Sequence, residues 1–134
     1  MKTWDSNFLL RHLLEDDALQ LKVVRRELRL AEKRGEQVFL PQLVLAEVAW
    51  VLRSLLSKSD ILETLLEILR DTRFACEHAP EVSEAISATR KGGDFPDHLI
   101  AASARRSGAA PVQTFDRALS GSRYFEFYES GKVG

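Results

Sequence analysis

Apolar residues along this chain switch between two spacings, and the switching predicts the elements. After a short extended start at Lys2-Thr3-Trp4, residues 8–14 form an amphipathic stretch. Leu21, Val24, Leu28 and Ala31 lie on one face of a predicted helix over 17–34, which stops at Gly35, a residue suited to ending helices. Residues 37–40 read as a strand, and Pro41 suits the first turn of a helix running to Leu56. Asp60 with Glu63 looks like a capping pair for a helix that ends near Asp71. A strand is expected over 74–77, a helix from Pro80 to Gly92-Gly93, and another capped by Asp94 that runs to Arg106 and ends at Gly108. Residues 111–115 and 124–128 complete the set as strands.

Strands separated by helices of this length pair in parallel through right-handed crossovers. The expected fold is therefore α/β, a three-layer α/β/α sandwich with a central parallel sheet, in a single domain over 1–134. Open sheets of this kind bind ligands at the carboxyl ends of their strands. Functional residues should be sought there.

Composition narrows the picture only a little. At 134 residues and 45% apolar, the chain is neither disordered nor visibly divided. Cys76, the one cysteine, lies in Phe74-Ala75-Cys76 and reads as a small buried hydrophobe. His12, His78 and His98 are scattered without zinc-site spacing, and His98 is expected on the surface. No run reaches the ~18 apolar residues that span a membrane, and no signal peptide is evident, so a cytoplasmic location is expected. A net charge of −1 gives no general attraction to nucleic acid. Any RNA contact must come from local cations.

Five acids call for explanation. Asp5 and Asp116 each end a predicted strand, on the ligand-binding edge, although either alone could simply cap the helix that follows. Glu47 stands within Leu43–Leu52, where every other residue is apolar; such a helix is usually buried all round, so this carboxylate either peeps out of a core helix or needs a salt bridge or a cation. Asp94 and Asp97 open the last predicted helix and fit a capping arrangement.

Taken together the acids sit in motifs that resemble those of PIN domains. Asp5-Ser6-Asn7-Phe8-Leu9-Leu10-Arg11 is similar to the family's Asp-Thr-Asn opening, and Pro41 to Leu52 to its glutamate-bearing helix. Gly93-Asp94-Phe95-Pro96-Asp97-His98-Leu99-Ile100-Ala101 resembles its central acidic block, and Val112-Gln113-Thr114-Phe115-Asp116 its strand end. Order and spacing agree over nearly the whole chain, and the VapC-like toxins are the nearest group. The resemblance implies strand order 3-2-1-4-5 and an endoribonuclease dependent on Mg²⁺ or Mn²⁺. It also implies a homodimer and an antitoxin partner. Asp5, Glu47, Asp97 and Asp116 would form the acidic cluster, with Asp94 auxiliary and Asn7 and Thr114 in support. Ser6 in place of threonine keeps the hydroxyl. Lys2-Thr3-Trp4 is more polar than the family's first strand, which should shorten it.

Four carboxylates about 5 Å apart repel by roughly 3 kcal/mol per pair at a dielectric of 20, so a cation is expected among them. Oxygen ligands select Mg²⁺ or Mn²⁺, which would activate a water to attack an RNA phosphodiester. Asp5, Asp97 and Asp116 would ligate it, and Glu47 would hold a second ion or orient the water. Arg11 is the best-placed cation for RNA, ahead of Arg105, Arg106, Arg25, Arg26 and Arg29. A phosphorelay receiver is disfavoured, because it needs an adjacent acidic pair after the first strand and a lysine after a later one. A non-cutting RNA- or protein-binding scaffold, which would be expected to lose acids, and a housekeeping RNA-processing nuclease are the alternatives. Leu52, Leu55, Leu56, Leu62, Leu65, Leu66 and Leu69 exceed what one sheet face needs and are expected to form an exposed surface, either a groove for an antitoxin helix or the homodimer interface.

Overall fold

The computed structural model describes residues 1–131. Its strands are β1 (Lys2–Thr3), β2 (Val38–Leu40), β3 (Phe74–Cys76), β4 (Val112–Thr114) and β5 (Phe125–Phe127). Its helices are α1 (Ser6–Leu14), α2 (Ala18–Lys33), α3 (Gln42–Leu52), α4 (Lys58–Arg70), α5 (Ala79–Lys91) and α6 (Phe95–Arg106), with a 3-10 turn at Arg117–Leu119. The architecture is α/β and every strand pair is parallel, in keeping with a three-layer arrangement.

The strands form two ladders rather than one. β1, β2 and β3 pair in that order, and β4 pairs with β5, but β1 and β4 share no ladder. Both halves of the expected order 3-2-1-4-5 are therefore present, while the joint between them is not hydrogen-bonded. The polar start of the chain limits β1 to two exposed residues. Trp4 then turns inward and is buried, with its ring edge-on to Phe8 at 5.3 Å and to Phe74 at 5.4 Å. That anchor leaves Asp5 facing solvent.

Helix ends follow local chemistry more closely than periodicity. Pro41 precedes α3 instead of lying in its first turn, and Glu77, just after β3, accepts the Gln42 N–H at 2.9 Å. Ser57 caps α4 by accepting the Asp60 N–H at 3.1 Å, so that helix starts before the Asp60/Glu63 pair expected to open it. After Leu52, Arg53, Ser54 and Leu55 bond three residues back in a turn, so α3 does not reach Leu56.

One large core unites α1 to α5, β2, β3 and the first turns of α6. Leu52, Leu62 and Leu65 lie inside it, each no more than 2% exposed, and Leu56, Leu66 and Leu69 pack against it. The expected groove on α4 therefore does not exist. Exposed apolar residues instead occur on α3 and just after it, where Leu43 is 69%, Trp50 63% and Leu55 58% exposed, and singly elsewhere, as at Leu19, Ile100 and Phe115. A second, small cluster holds Ala101, Leu119 and Phe125 under Val112 and Tyr124. Among the described residues, no helix is long and apolar enough to cross a membrane. Burial raises the Cys76 thiol to about 11, leaving it inert at neutral pH.

Candidate active site

Asp5, Asp97 and Asp116 are each held by a local bond that uses one carboxylate oxygen. Asp5 follows β1 and caps α1, its Oδ1 accepting the Phe8 N–H at 2.9 Å. Asp116 follows β4 and caps the 3-10 turn, its Oδ1 accepting the Ala118 N–H at 3.0 Å, while its own N–H donates to Thr114 Oγ1 at 3.0 Å. Asp97 Oδ2 accepts the Asp94 N–H at 3.1 Å across the first turn of α6. Such bonds fix the carboxylate direction without consuming the second oxygen.

Glu47 corrects an expectation. The α3 helix is not buried all round: Glu47 is exposed on the same face as Leu43 and Trp50, so it is not a buried charge in need of neutralisation. Its Oε2 accepts a hydrogen bond from Ser6 Oγ at 3.0 Å, which brings it to the start of α1, one residue from Asp5. Ser6, noted in the sequence only as a substitute for threonine, thus performs a task expected of Asn7. Asn7 itself is exposed and makes no side-chain hydrogen bond among the described residues.

A second link joins the other two acids. A Cβ on Gly93 would stand 2.4 Å from Leu119 Cδ2 and 3.1 Å from His98 Nε2, and the residue has φ +78°, so only glycine fits there. A Cβ on Gly92 would lie 2.9 Å from the Ala118 carbonyl oxygen. The Gly92-Gly93 loop that leads into Asp94 and Asp97 therefore packs on the turn that Asp116 caps. His98 is buried in this contact at 7% exposure, contrary to its expected surface position. Its Nε2 lies 2.7 Å from the Gly92 carbonyl oxygen, and its ring stands edge-on to Phe125 at 5.7 Å.

The acids thus form two groups, Asp5 with Glu47 and Asp94/Asp97 with Asp116, at the carboxyl ends of β1 and β4 and the start of α6. The donor chemistry suits a hard divalent ion. The placement does not: among the described residues, no group of three or more acids, histidines or cysteines is close enough to hold a metal ion. Arg11 is set away from the acids, its Nη1 3.3 Å from Asp16 at the far end of α1, with its Nε buried and unpartnered.

An open parallel α/β chain with acids at its strand ends belongs to a recognisable class of folds, and comparison with known families assigns it. The model of the PIN domain family matches residues 3–121, and the chain belongs to that family, whose members are in general metal-dependent nucleases. No curated protein and no solved structure matches the chain significantly.

Proposed function

We propose that this protein is an endoribonuclease that depends on Mg²⁺ or Mn²⁺ and serves as the toxin of a toxin–antitoxin pair. The observation that carries the reading is the Ser6–Glu47 hydrogen bond, which draws the α3 glutamate to the strand edge where Asp5 lies within the matched family region. Asp5, Glu47, Asp97 and Asp116 are its catalytic acids, and Asp5, Asp97 and Asp116 would ligate the metal once the two groups of acids draw closer than they stand here. Ser6 orients Glu47, Thr114 steadies Asp116, and Asp94 supports the turn that presents Asp97.

The stripe on α3 is the antitoxin's surface in this reading. Leu43 and Trp50 flank Glu47 on one exposed face, so a partner that covers the apolar residues also covers the acid. An antitoxin helix carrying one basic side chain satisfies both. A second copy of this chain would instead press two Glu47 carboxylates into one apolar contact, and the homodimer uses another face.

Incubating the purified protein with total cellular RNA, with and without Mn²⁺, and mapping new 5′ ends tests the activity. Recurrent new ends in Mn²⁺, absent in EDTA, are expected. Intact RNA in Mn²⁺ makes the protein a non-cutting scaffold, and equal cleavage in EDTA removes the metal. The toxin role fails if no small protein encoded beside this gene blocks cleavage, or if it still blocks the Trp50→Glu variant.

A further inference from the structure

We infer that the cleft between α5, α6 and the segment leading into β5 is a binding tract for single-stranded RNA leaving the candidate acids. This inference rests on the nuclease reading for its substrate, but on separate residues. The cleft has a volume of about 620 Å³ and is bounded by Ser83, Ser87, Lys91, His98, Arg105 and Tyr124, among others. That size lies within the roughly 300–1,000 Å³ of ligand pockets.

Its walls carry the chemistry that single strands require, namely donors and cations for the backbone and a ring for bases. Ser83, Ser87 and Lys91 succeed one another at four-residue intervals along α5, so they present donors about every 6 Å on one helix face. None of the three makes a side-chain hydrogen bond or an ion pair among the described residues, and all are exposed. Across the cleft, the Arg105 guanidinium lies 4.0 Å from the centre of the Tyr124 ring. Arg123 approaches the same ring at 4.9 Å and donates from Nη2 to the Tyr124 hydroxyl at 2.7 Å. The rim holds one acid, Glu84, in an exposed pair with Arg105 at 3.4 Å. Exposed pairs of this kind contribute little, so a phosphate can take Glu84's place beside Arg105.

Position connects the cleft with the acids. His98, beside Asp97, and Ala118 and Leu119, in the turn capped by Asp116, all line it. Arg105 lies eight residues beyond Asp97 on α6, about 12 Å along the helix axis. Two nucleotides fill that distance, with one phosphate at Lys91, one at Arg105 and a base against Tyr124. Arg11, tied to Asp16 at the far end of α1, has no part in this path.

The test is equilibrium binding of a fluorescent twelve-nucleotide oligouridylate to the full chain in EDTA, across a salt series. For Lys91→Ala/Arg105→Ala, affinity at moderate salt should fall at least tenfold. The slope of log affinity against log salt should shrink by about 1.4, at about 0.7 for each of two phosphate contacts. Ser87→Asp, which only adds a negative charge to an exposed position, should weaken binding in the same direction. Affinity and slope within twofold of the unaltered protein in both variants overturn the tract. A preference for polyglutamate over RNA, lost in the same variants, also overturns it by making the cleft an acidic-protein site. If the unaltered protein cuts RNA in Mn²⁺ while these variants bind normally, the tract fails and the nuclease stands. If it cuts nothing while binding depends on Lys91 and Arg105, the nuclease fails and the tract stands.

Discussion

The two ends of the candidate site are supported very differently. Asp5 and Glu47 start from elements rooted in the large core, where Trp4, Leu9, Leu10, Leu45 and Val48 are all buried. Asp116 starts from β4 and the 3-10 turn, whose own core is only Ala101, Leu119 and Phe125. Helix α6 bridges the two, with Phe95 and Leu99 in the large cluster and Ala101 in the small one, and it carries Asp97 at its tip. Because β1 and β4 share no ladder, the position of Asp116 relative to Asp5 depends on this helix and on the Gly92-Gly93 contact. Regions held by few buried contacts open locally without unfolding the rest. A site built across such a boundary can adjust its spacing, whereas one inside a single core could not.

The largest effect expected follows from the stronger side. Leu65→Ala, deep in the large core at 1% exposure, should cost about 2–5 kcal/mol in denaturant melts. Phe125→Ala in the small cluster removes a larger side chain yet should cost less, about 1–2 kcal/mol, because the region can open on its own. Its signature is faster hydrogen exchange confined to residues 112–127, with cleavage down at least tenfold. Equal global losses for the two variants would mean one cooperative core and would break the comparison.

Next comes Glu47, which the large core positions without burying. Glu47→Gln should change stability by no more than about 0.5 kcal/mol, as exposed substitutions do, while cleavage falls a hundredfold or more. Ser6→Ala should lower kcat severalfold with KM unchanged, since it loses the bond that orients Glu47. A clear drop in melting temperature for Glu47→Gln would make it a structural residue and leave Asp5 as the one catalytic acid on the strong side.

Much of the fold was legible because the apolar spacing and punctuation agree: Gly35 and Gly92-Gly93 follow the ends of α2 and α5, and Asp94 precedes α6 as expected. The exposed face of α3 was not legible. Helical spacing records which residues share a face but not which neighbour is missing, and Leu43 and Trp50 look like core residues in sequence. His98 failed for a related reason. Its burial comes from Phe125 and the Gly92 carbonyl, contacts that depend on how a distant strand returns. The acids themselves were found through their motif order, but their division into two groups depends on a strand joint that no local pattern encodes.

The smallest effect concerns a tie between helices within the well-packed region. Glu81 on α5 accepts Arg106 Nε at 3.0 Å and Gln42 Nε2 at 3.0 Å, joining the end of α6 to the start of α3. The Arg106 bond, ahead of the others, holds the Glu81 carboxyl down to about 2. A depressed carboxyl stabilises the fold fully above its unfolded value of 4.5 and loses that contribution as pH falls from 4.5 towards 2. As the group is partly exposed, solvent screening keeps the effect below about 1 kcal/mol. Arg106→Ala should therefore lower stability at neutral pH by that amount and leave it unchanged near pH 2, which flattens the acid limb of the stability curve. Melting temperatures between pH 2 and 7 decide the matter.

The account rests above all on acids from both regions acting on one ion. Mn²⁺ titration followed by electron paramagnetic resonance reads this without any reaction, using the unaltered chain and its Asp5→Asn, Asp97→Asn and Asp116→Asn variants. The account predicts saturable Mn²⁺ binding that each substitution weakens at least tenfold, Asp5 from the large core no less than Asp116 from the small one. Binding that is absent in the unaltered chain, or that Asp5→Asn and Asp116→Asn both leave intact, would contradict it.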